Sequence, residues 1–167
     1  MASQRHKPAR WQRLMQRIAA SRPGAWLFSR GLHYIDRPLL RMSNGRLSVP
    51  GIVTGLPVIM LTTRGAKSGQ RRTQPVLGFV DADKVVVFAS NWGRSSHPAW
   101  YHNLRANREA EVSAGGRTGV YVAHEATGAE REKYWQSGLE AYRGFAAYER
   151  RAGARRIPVV VLAPKSD

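Results

Sequence analysis

The 167-residue sequence contains no cysteine, and this absence removes several kinds of chemistry at once. Without cysteine there is no disulfide, no thiolate zinc site, no cysteine nucleophile and no iron–sulfur cluster. No apolar run approaches the roughly 20 residues that a membrane-spanning helix needs. The basic first residues are not followed by an apolar run with a cleavage site, so no secretory signal is predicted. These absences favour a protein that is soluble or peripheral to a membrane, and they are compatible with a reducing compartment.

Acidic residues are scarce, because 11 Asp and Glu stand against 27 Lys and Arg, for a formal net charge of +16. A surplus of this size points to anionic partners rather than to a particular fold. Paired carboxylates, histidines at metal-ligand spacing, a P-loop, G-x-G-x-x-G and G-x-S-x-G are also absent. The sequence therefore lacks the groups of a hydrolase or a metalloenzyme. A cofactor that brings its own reactivity would need only binding and orientation.

Two regions with different patterns divide the chain. Residues 8–21 predict a helix with an arginine-rich face opposite an apolar stripe formed by Trp11, Leu14, Met15, Ile18 and Ala19. Pro23 is expected to open a second helix that ends near Pro38. We therefore predict a basic helical N-terminal arm over residues 1–46 and one folded domain over residues 47–167.

Short β-branched runs predict the fold class of the second region. They occupy residues 58–63, 73–80, 84–89, 111–114, 119–125 and 157–163, with tight turns at 81–83 and 115–116. About six short strands with mostly hairpin connections argue against βαβ units. Helices are predicted over 98–106, with a proline at the start, and over 128–142, after a Thr127…Glu130 capping box. The predicted fold is mainly β with flanking helices (α+β): a barrel of mostly antiparallel strands.

The stretch LTTRGAKSGQRRTQPV, residues 61–76, joins two predicted strands and contains no acid. Main-chain N–H groups of a Gly/Ser turn can form an anion-binding nest. Lys67 and Arg72 can add charge-assisted hydrogen bonds to a phosphate. The alternative is that these charges only solvate a long hairpin.

Two further stretches carry aromatic residues with two possible roles. FASNWGRSSHPAWYHNLRAN, residues 88–107, leaves a strand through a small polar loop and enters a helix, which suits polar ligand atoms. Its Trp100 and Tyr101 would either flank a planar ring or pack in the core. Core packing is the expected role of Tyr134 and Trp135. Beside Gly144, three aromatics recur at every third residue, and they would either line the mouth of a pocket or pack on the barrel: Tyr142, Phe145 and Tyr148.

Taken in order with YWQSGLEAY and RRIPVVVLAP, these stretches resemble the deazaflavin (F420)-dependent nitroreductase and quinone reductase family over roughly residues 56–164. G-x-K-S-G-Q followed by P-x-W-Y-x-N-L is specific as a pair. The resemblance implies a split β-barrel like that of FMN-binding proteins, with coenzyme F420 as the cofactor. It also implies hydride transfer from reduced deazaflavin to a planar, electron-poor acceptor such as a quinone or a nitroaromatic. FMN in the same barrel is the alternative cofactor.

The resemblance assigns cofactor-binding positions to four parts of the chain. The first loop and the arginine after it would hold the coenzyme phosphate and tail, and the following strand would extend that contact. The end of a later strand would face the deazaflavin, and the helix after it would complete the wall. The positions are Ala66, Lys67, Ser68, Arg72, Thr73, Gln74, Pro75, Val76, Leu77, Phe88, Ala89, Ser90, Asn91, Ala99, Trp100, Tyr101, His102 and Asn103.

The same resemblance implies a substrate pocket made of Leu77, Tyr142, Phe145 and Tyr148. The candidate catalytic residues are Ser90 and Tyr148, either of which, or solvent, would deliver a proton. Some relatives have tyrosine where this chain has Leu77 and Phe145, and basic residues where it has Ala66 and Asn91. The missing hydroxyls predict a more apolar pocket, which favours quinones over nitroimidazoles.

Two functions without catalysis also fit the charge: a nucleic-acid-binding module and a lipid or isoprenoid carrier. No recognised nucleic-acid motif is present, so nucleic acid is the less favoured partner. The helix over residues 8–21 has the pattern of a helix that lies in an anionic membrane interface, although it would equally dock on the barrel. Together with a quinone acceptor, this pattern predicts a cytoplasmic enzyme attached peripherally to the inner face of the cell membrane.

Overall fold

A computed structural model describes residues 57–114 and 116–166. Within them six strands close into one barrel in the order β1-β2-β3-β6-β5-β4, and every neighbouring pair is antiparallel. The strands are β1 (Val58–Arg64), β2 (Arg71–Asp81), β3 (Lys84–Phe88), β4 (Glu109–Ala114), β5 (Arg117–Glu125) and β6 (Val159–Pro164). The helices are α1 (Ala99–Ala106), α2 (Gly128–Ala141) and α3 (Gly144–Ala152). The predicted fold class, a mainly β antiparallel barrel with flanking helices, is confirmed.

The interior of the barrel is a core of aliphatic side chains closed at one end by helix α1. Alternate residues of each strand point inward, since successive side chains of a strand lie on opposite faces. Helix α1 adds Trp100, Tyr101 and Leu104 to this inner core. The strand residues buried with them include Ile59, Leu61, Val76, Val85, Val87, Val112, Val160 and Leu162.

A second core lies outside the barrel, where α2 and α3 cover strands β3 and β6. The two strands are therefore buried on both faces, which explains why VVVF and VVVL read as continuous apolar runs. The outer core is largely aromatic: its buried members are Val86, Phe88, Ala126, Tyr134, Trp135, Tyr142, Phe145, Tyr148, Ile157, Val159 and Val161. The core role predicted for Tyr134 and Trp135 is confirmed.

The predicted element boundaries need three corrections. Helix α3 was not predicted, because Gly144 was interpreted as a break; it is instead the first residue of the helix. A Cβ at Gly144 would collide with the ring of Tyr142, so glycine lets that ring pack against the start of α3. Strands β2, β4 and β5 each begin two residues earlier than predicted, and β6 begins two residues later, at Val159.

The third correction concerns the capping box at the start of α2. Thr127 is the N-cap residue, as predicted, but its side chain makes no capping hydrogen bond. The Glu130 carboxylate instead lies 3.0 Å from the His124 imidazole on β5. Tertiary contact with the neighbouring strand has therefore replaced the local interaction that the sequence pattern predicts.

The predicted arm over residues 1–46, its two helices and the boundary at residue 47 lie outside the described residues. No helix in the described part of the chain is long and apolar enough to cross a membrane.

Candidate functional site at one end of the barrel

Three stretches that the sequence singled out meet at one end of the barrel. Strands β1 and β3 end there, and β2 and β6 begin there, because all the pairings are antiparallel. The β1–β2 loop (residues 65–70), the β3–α1 loop (residues 89–98) and helix α1 therefore border the same region. The β2–β3 turn, with Asp81 paired to Lys84, lies at the opposite end.

The β1–β2 loop is a tight, exposed turn. The Gly65 N–H donates to the Gln70 carbonyl at 2.8 Å, and the Gly69 N–H donates to the Gly65 carbonyl at 2.8 Å. Gly69 has a φ of +66°, a left-handed conformation that glycine adopts without steric cost. Three residues that the resemblance assigns to cofactor binding are exposed on this turn: Ala66, Lys67 and Ser68.

The cations of this loop differ in whether an acid neutralises them. Arg71 donates to the Glu111 carboxylate at 2.7 Å. Lys67 and Arg72 make no ion pair or hydrogen bond with any residue of the described ranges 57–114 and 116–166. Two exposed cations without a carboxylate partner, beside a turn rich in glycine, fit the chemistry of a phosphate group.

Asn103 of α1 ties the loop to the barrel. Its Nδ2 donates to the Thr63 hydroxyl at 3.0 Å, and its Oδ1 accepts from the Ala66 N–H at 3.0 Å. The side chain is 8% exposed, so both ends of its amide are satisfied by protein atoms. The sequence placed Asn103 in the cofactor wall; in the structure its side chain positions the loop.

Strand β2 continues from the loop with Thr73, Gln74 and Pro75. Thr73 is exposed and lies opposite Thr62, with 2.8 Å between the two hydroxyl oxygens. Val76 points into the inner core, whereas Leu77 is half-buried against the outer core. The strand therefore presents its first three predicted residues near the loop and turns Val76 away from solvent.

The β3–α1 loop has an unusual backbone. Asn91, Trp92 and Gly93 have φ values of +46°, +58° and +75° in succession. A left-handed conformation is uncommon for a side chain as bulky as tryptophan. Ala89 is fully buried, and Ser90 and Asn91 are half-buried. The Ser90 hydroxyl makes no hydrogen bond with another residue in the described part of the chain.

The aromatic pair of helix α1, Trp100 and Tyr101, was expected either to flank a planar ring or to pack in the core, and it packs in the core. Trp100 and Tyr101 are 5% and 6% exposed and pack in the inner core, while Ala99 and His102 are exposed. The Tyr101 hydroxyl donates to the Glu125 carboxylate at 2.6 Å. Burial, and then this carboxylate, raise the pKa of Tyr101 to about 12.

The predicted substrate-pocket residues come together, but not as an open mouth. Tyr142, Phe145 and Tyr148 are at most 1% exposed, and Leu77 packs against the same outer core. The Tyr142 and Tyr148 hydroxyls lie 3.0 Å apart, and burial raises the pKa of both. In this arrangement α3 turns these aromatics toward Phe88 and the outer face of β3, and their part in a substrate pocket stays a prediction.

Residues that sequence reasoning missed include Arg151, Arg155 and Glu125. Arg155 donates to atoms of the β3–α1 loop that are 58 to 66 positions away in the chain. Arg151 donates to the Trp92 carbonyl at 3.0 Å. No local sequence pattern predicts contacts between residues so far apart in the chain. The only signal was that RRIPVVVLAP, which begins at Arg155, is one of the stretches that resemble the family. No group of three metal-ligating side chains occurs within residues 57–114 and 116–166.

Comparison with solved structures defines the class of protein. The chain is 36% identical to a structure of an F420-H2 dependent reductase (FDR-A), with a TM-score of 0.58 and coverage of 63% of this chain and 92% of that one. A second solved structure, described as a domain-swapped dimer, is 31% identical, with a TM-score of 0.60 and coverage of 84% and 98%. Fold and sequence together therefore place the chain among the F420-dependent reductases.

The family follows from sequence. The F420H(2)-dependent quinone reductase family model matches residues 37–164. An F420H(2)-dependent quinone reductase of Mycobacterium tuberculosis is 33% identical over 129 residues, which are 74% of this chain and 84% of that protein. The chain belongs to the F420H(2)-dependent quinone reductase family. It is an F420-dependent oxidoreductase of the quinone reductase type, its cofactor is coenzyme F420, and the FMN alternative is not favoured.

Proposed function

We propose that the chain binds reduced F420 across the loop end of the barrel and passes its hydride to a planar quinone lying against the outer core. The observation that carries this proposal is a pair of exposed cations, Lys67 on the β1–β2 loop and Arg72 at the start of β2, which have no acidic partner in residues 57–114 and 116–166. They would hold the coenzyme phosphate together with the exposed Ser68, while Ala66, whose N–H already donates to Asn103, keeps the turn in place. Arg71, by contrast, is already paired with Glu111 and is less available to an anion.

The strand and helix positions divide into two kinds of contact. Thr73, Gln74 and Pro75 would flank the coenzyme along the first part of β2. The side chains of Val76, Phe88, Trp100 and Tyr101 are buried in the two cores. These four residues would therefore contact the cofactor through main-chain atoms. Their buried side chains would keep the wall of the cofactor site rigid.

The deazaflavin would lie beside the β3–α1 loop, next to Ala89, Ser90 and Asn91, with Ala99 and His102 of α1 at its edge. Bound reduced F420 supplies the hydride. The protein has to exclude water and hold the donor and acceptor carbons about 3–3.5 Å apart, because alignment at that distance lowers the barrier most.

The acceptor would contact Leu77, whose half-buried side chain belongs to the outer core. Tyr142, Phe145 and Tyr148 would form the apolar backing behind it. Direct contact with these three rings would require α3 to shift, since all are enclosed in the present arrangement. Leucine and phenylalanine offer no hydroxyl at two of the four positions, which favours quinones over the more polar nitroimidazoles.

Ser90 is the better-placed of the two proton donors. Ser90 is half-buried, and its hydroxyl makes no hydrogen bond with another residue in the described part of the chain. The Tyr148 hydroxyl pairs with that of Tyr142 in the outer core, so it would reach an acceptor only after α3 moved.

The proposal is tested by titrating the purified chain with F420 and with FMN and following the visible absorbance of each cofactor. Acceptors are then added to the complex with reduced F420. We expect F420 to bind more tightly than FMN, and a soluble quinone to be reduced faster than a nitroimidazole. Tighter binding of FMN would overturn the cofactor assignment. Equal rates with the two acceptors would remove the quinone preference.

We also propose that residues 8–21 attach the enzyme to the cytoplasmic face of the membrane. The support comes from the sequence alone: an apolar stripe opposite three arginines, in a region where basic residues near anionic lipid contribute about 1 kcal/mol each. Such attachment would place the enzyme where membrane quinones diffuse. Co-sedimentation with anionic vesicles should fade with salt and with deletion of residues 1–46. A truncated chain that sediments as well as the full one would contradict attachment, and one that unfolds would favour docking of the arm on the barrel.

A further inference from the structure

Arg155 lies in the segment that joins α3 to β6, and its side chain contacts the β3–α1 loop. Its guanidinium group donates four hydrogen bonds, and all of them end on that loop. Nε donates to the Arg94 carbonyl at 2.9 Å, Nη2 to the Ser90 carbonyl at 2.7 Å, and Nη1 to both the Ala89 carbonyl at 3.0 Å and His97 Nδ1 at 3.2 Å.

Arginine suits this task because its guanidinium is planar and presents five donors in a fixed fork. Lysine offers one compact ammonium, which cannot span carbonyls at both ends of a loop. Since the contacts of Arg155 reach from Ala89 to His97, a single side chain fixes the beginning and the end of the segment.

The segment between those contacts carries strain that needs an external hold. Asn91, Trp92 and Gly93 all have positive φ values; glycine adopts them freely, but the bulky Trp92, at +58°, keeps such a conformation only where its surroundings hold the backbone. Arg151 holds the middle of this turn through the Trp92 carbonyl at 3.0 Å. Arg155 holds the residues on either side of it.

We propose that Arg155 is a positioning residue of the reductase, which holds Ala89, Ser90 and Asn91 in the orientation that aligns the deazaflavin ring with the acceptor. The inference rests on the proposed placement of the ring beside these residues. The coenzyme phosphate is assigned to Lys67 and Arg72 on the other loop, so Arg155 governs ring alignment rather than the affinity for the coenzyme tail.

His97 provides a readout that needs no coenzyme. Arginine can only donate, so His97 Nδ1 must accept, and the neutral imidazole carries its proton on Nε2. Burial, followed by the charge of Arg155, holds the pKa of His97 below its ordinary value. The other charged groups acting on it are His102 and Arg105 of α1, which lower its pKa, and Glu125 of β5, which raises it.

The test compares Arg155→Gln and Arg155→Lys with Arg156→Gln and Arg156→Lys. Arg156 is the exposed neighbour, so its variants change the same charge at nearly the same place. In the apo protein, nitrogen-15 NMR of His97 should show an unprotonated Nδ1 that persists in both Arg156 variants. In Arg155→Gln the pKa of His97 should rise, because a charge that lowers it is removed, and it should change less in Arg156→Gln.

With F420 bound, the two Arg155 variants should lose roughly tenfold to a hundredfold in kcat with a quinone, the size expected of a small misalignment. Their Kd for F420, measured by fluorescence quenching, should change far less. In a third variant, Arg155→Ala, added guanidinium ion should restore part of the lost kcat.

The proposal is overturned if the kcat of the Arg155 variants matches that of the Arg156 variants, or if NMR of the unaltered chain shows a protonated His97 Nδ1. It is also overturned if kcat, the affinity for F420 and the thermal midpoint all fall together, since that marks a general structural role. If the unaltered chain does not bind F420, the proposed cofactor placement is refuted. NMR of the apo protein would still test whether Arg155 hydrogen-bonds to the β3–α1 loop.

Discussion

The β1–β2 loop and the β3–α1 loop border the same end of the barrel, yet they are held in opposite ways. The first is exposed, closes on its own main chain and is tied to the barrel by Asn103. The second has residues with a left-handed backbone conformation in its middle, and Arg151 and Arg155 donate hydrogen bonds to its main-chain carbonyls. One loop directs its cations outward, and the other receives cations from elsewhere in the fold.

The difference separates two requirements of hydride transfer. Holding a phosphate needs charge that is accessible, which the exposed Lys67 of the β1–β2 loop and the exposed Arg72 at the start of β2 supply. Aligning a ring needs a backbone that does not move, and a loop fixed by a guanidinium group supplies it. Affinity and alignment are therefore expected to depend on different residues, and mutations can test whether they separate.

The largest effect is expected where the β3–α1 loop meets α3. A Cβ at Gly93 would lie 2.8 Å from the Tyr148 carbonyl oxygen and 3.0 Å from the Arg151 Cβ, at a φ of +75°. Gly93→Ala should therefore lower the free energy of unfolding by about 3 kcal/mol, through both strain and overpacking. Urea denaturation measures this loss.

Gly116→Ala is the matched control for that change. Gly116 has a similar φ of +80°, but a Cβ added there would meet no atom within 4 Å. It should show only the backbone strain, about 1 kcal/mol. Equal losses in the two variants would mean that the contact between this loop and α3 contributes nothing.

The next effect concerns affinity at the β1–β2 loop. Lys67→Ala and Arg72→Ala each remove a charged donor to the coenzyme phosphate, which should cost about 1.5–3 kcal/mol, or roughly tenfold to a hundredfold in Kd for F420. Fluorescence quenching measures Kd. Arg71→Ala is the control, because its charge is already paired with Glu111, and it should change Kd less. A double Lys67/Arg72 variant with unchanged affinity would refute the phosphate assignment.

A smaller effect is expected at the link between this loop and α1. Asn103→Ala leaves the Ala66 N–H and the Thr63 hydroxyl without their partner, which should cost about 1–2 kcal/mol of unfolding free energy. Combining it with Thr63→Val should give less than the sum of the two losses, because the two side chains share one hydrogen bond. Strict additivity would argue against that bond. Asn107→Ala, at the end of the same helix, is the control.

The smallest effect is a contribution to alkaline unfolding. The pKa of Tyr101 is raised to about 12 in the folded chain, against an ordinary value near ~10 for tyrosine. The folded state therefore binds the proton more tightly, and this contribution is complete below pH ~10 and is lost as pH rises toward 12. Stability measured from pH 9 to 12 should fall less steeply in Tyr101→Phe than in the unaltered chain. Tyr134, Tyr142 and Tyr148 also have raised pKa values, so part of the slope should remain.

Local sequence patterns determined the strands, the hairpins and two of the three described helices. β-Branched runs bounded by turn residues predict strands because their side chains suit a pleated, half-buried surface, and the pattern is visible within a few residues of sequence. The same locality explains why the β1–β2 loop was singled out: its glycines, its serine and its cations all lie within a few positions of one another. The family resemblance rests on such local stretches as well.

Only the tertiary structure decided which of those residues share a site, and which are instead paired with or buried against neighbouring residues. The sequence could not separate Arg71 from Arg72, because the partner of Arg71 is on β4. It could not tell a pocket mouth from a core at Tyr148, because burial depends on where α3 packs. The hold of Arg155 on the β3–α1 loop spans about sixty positions of chain, between residues that meet only once the barrel has closed.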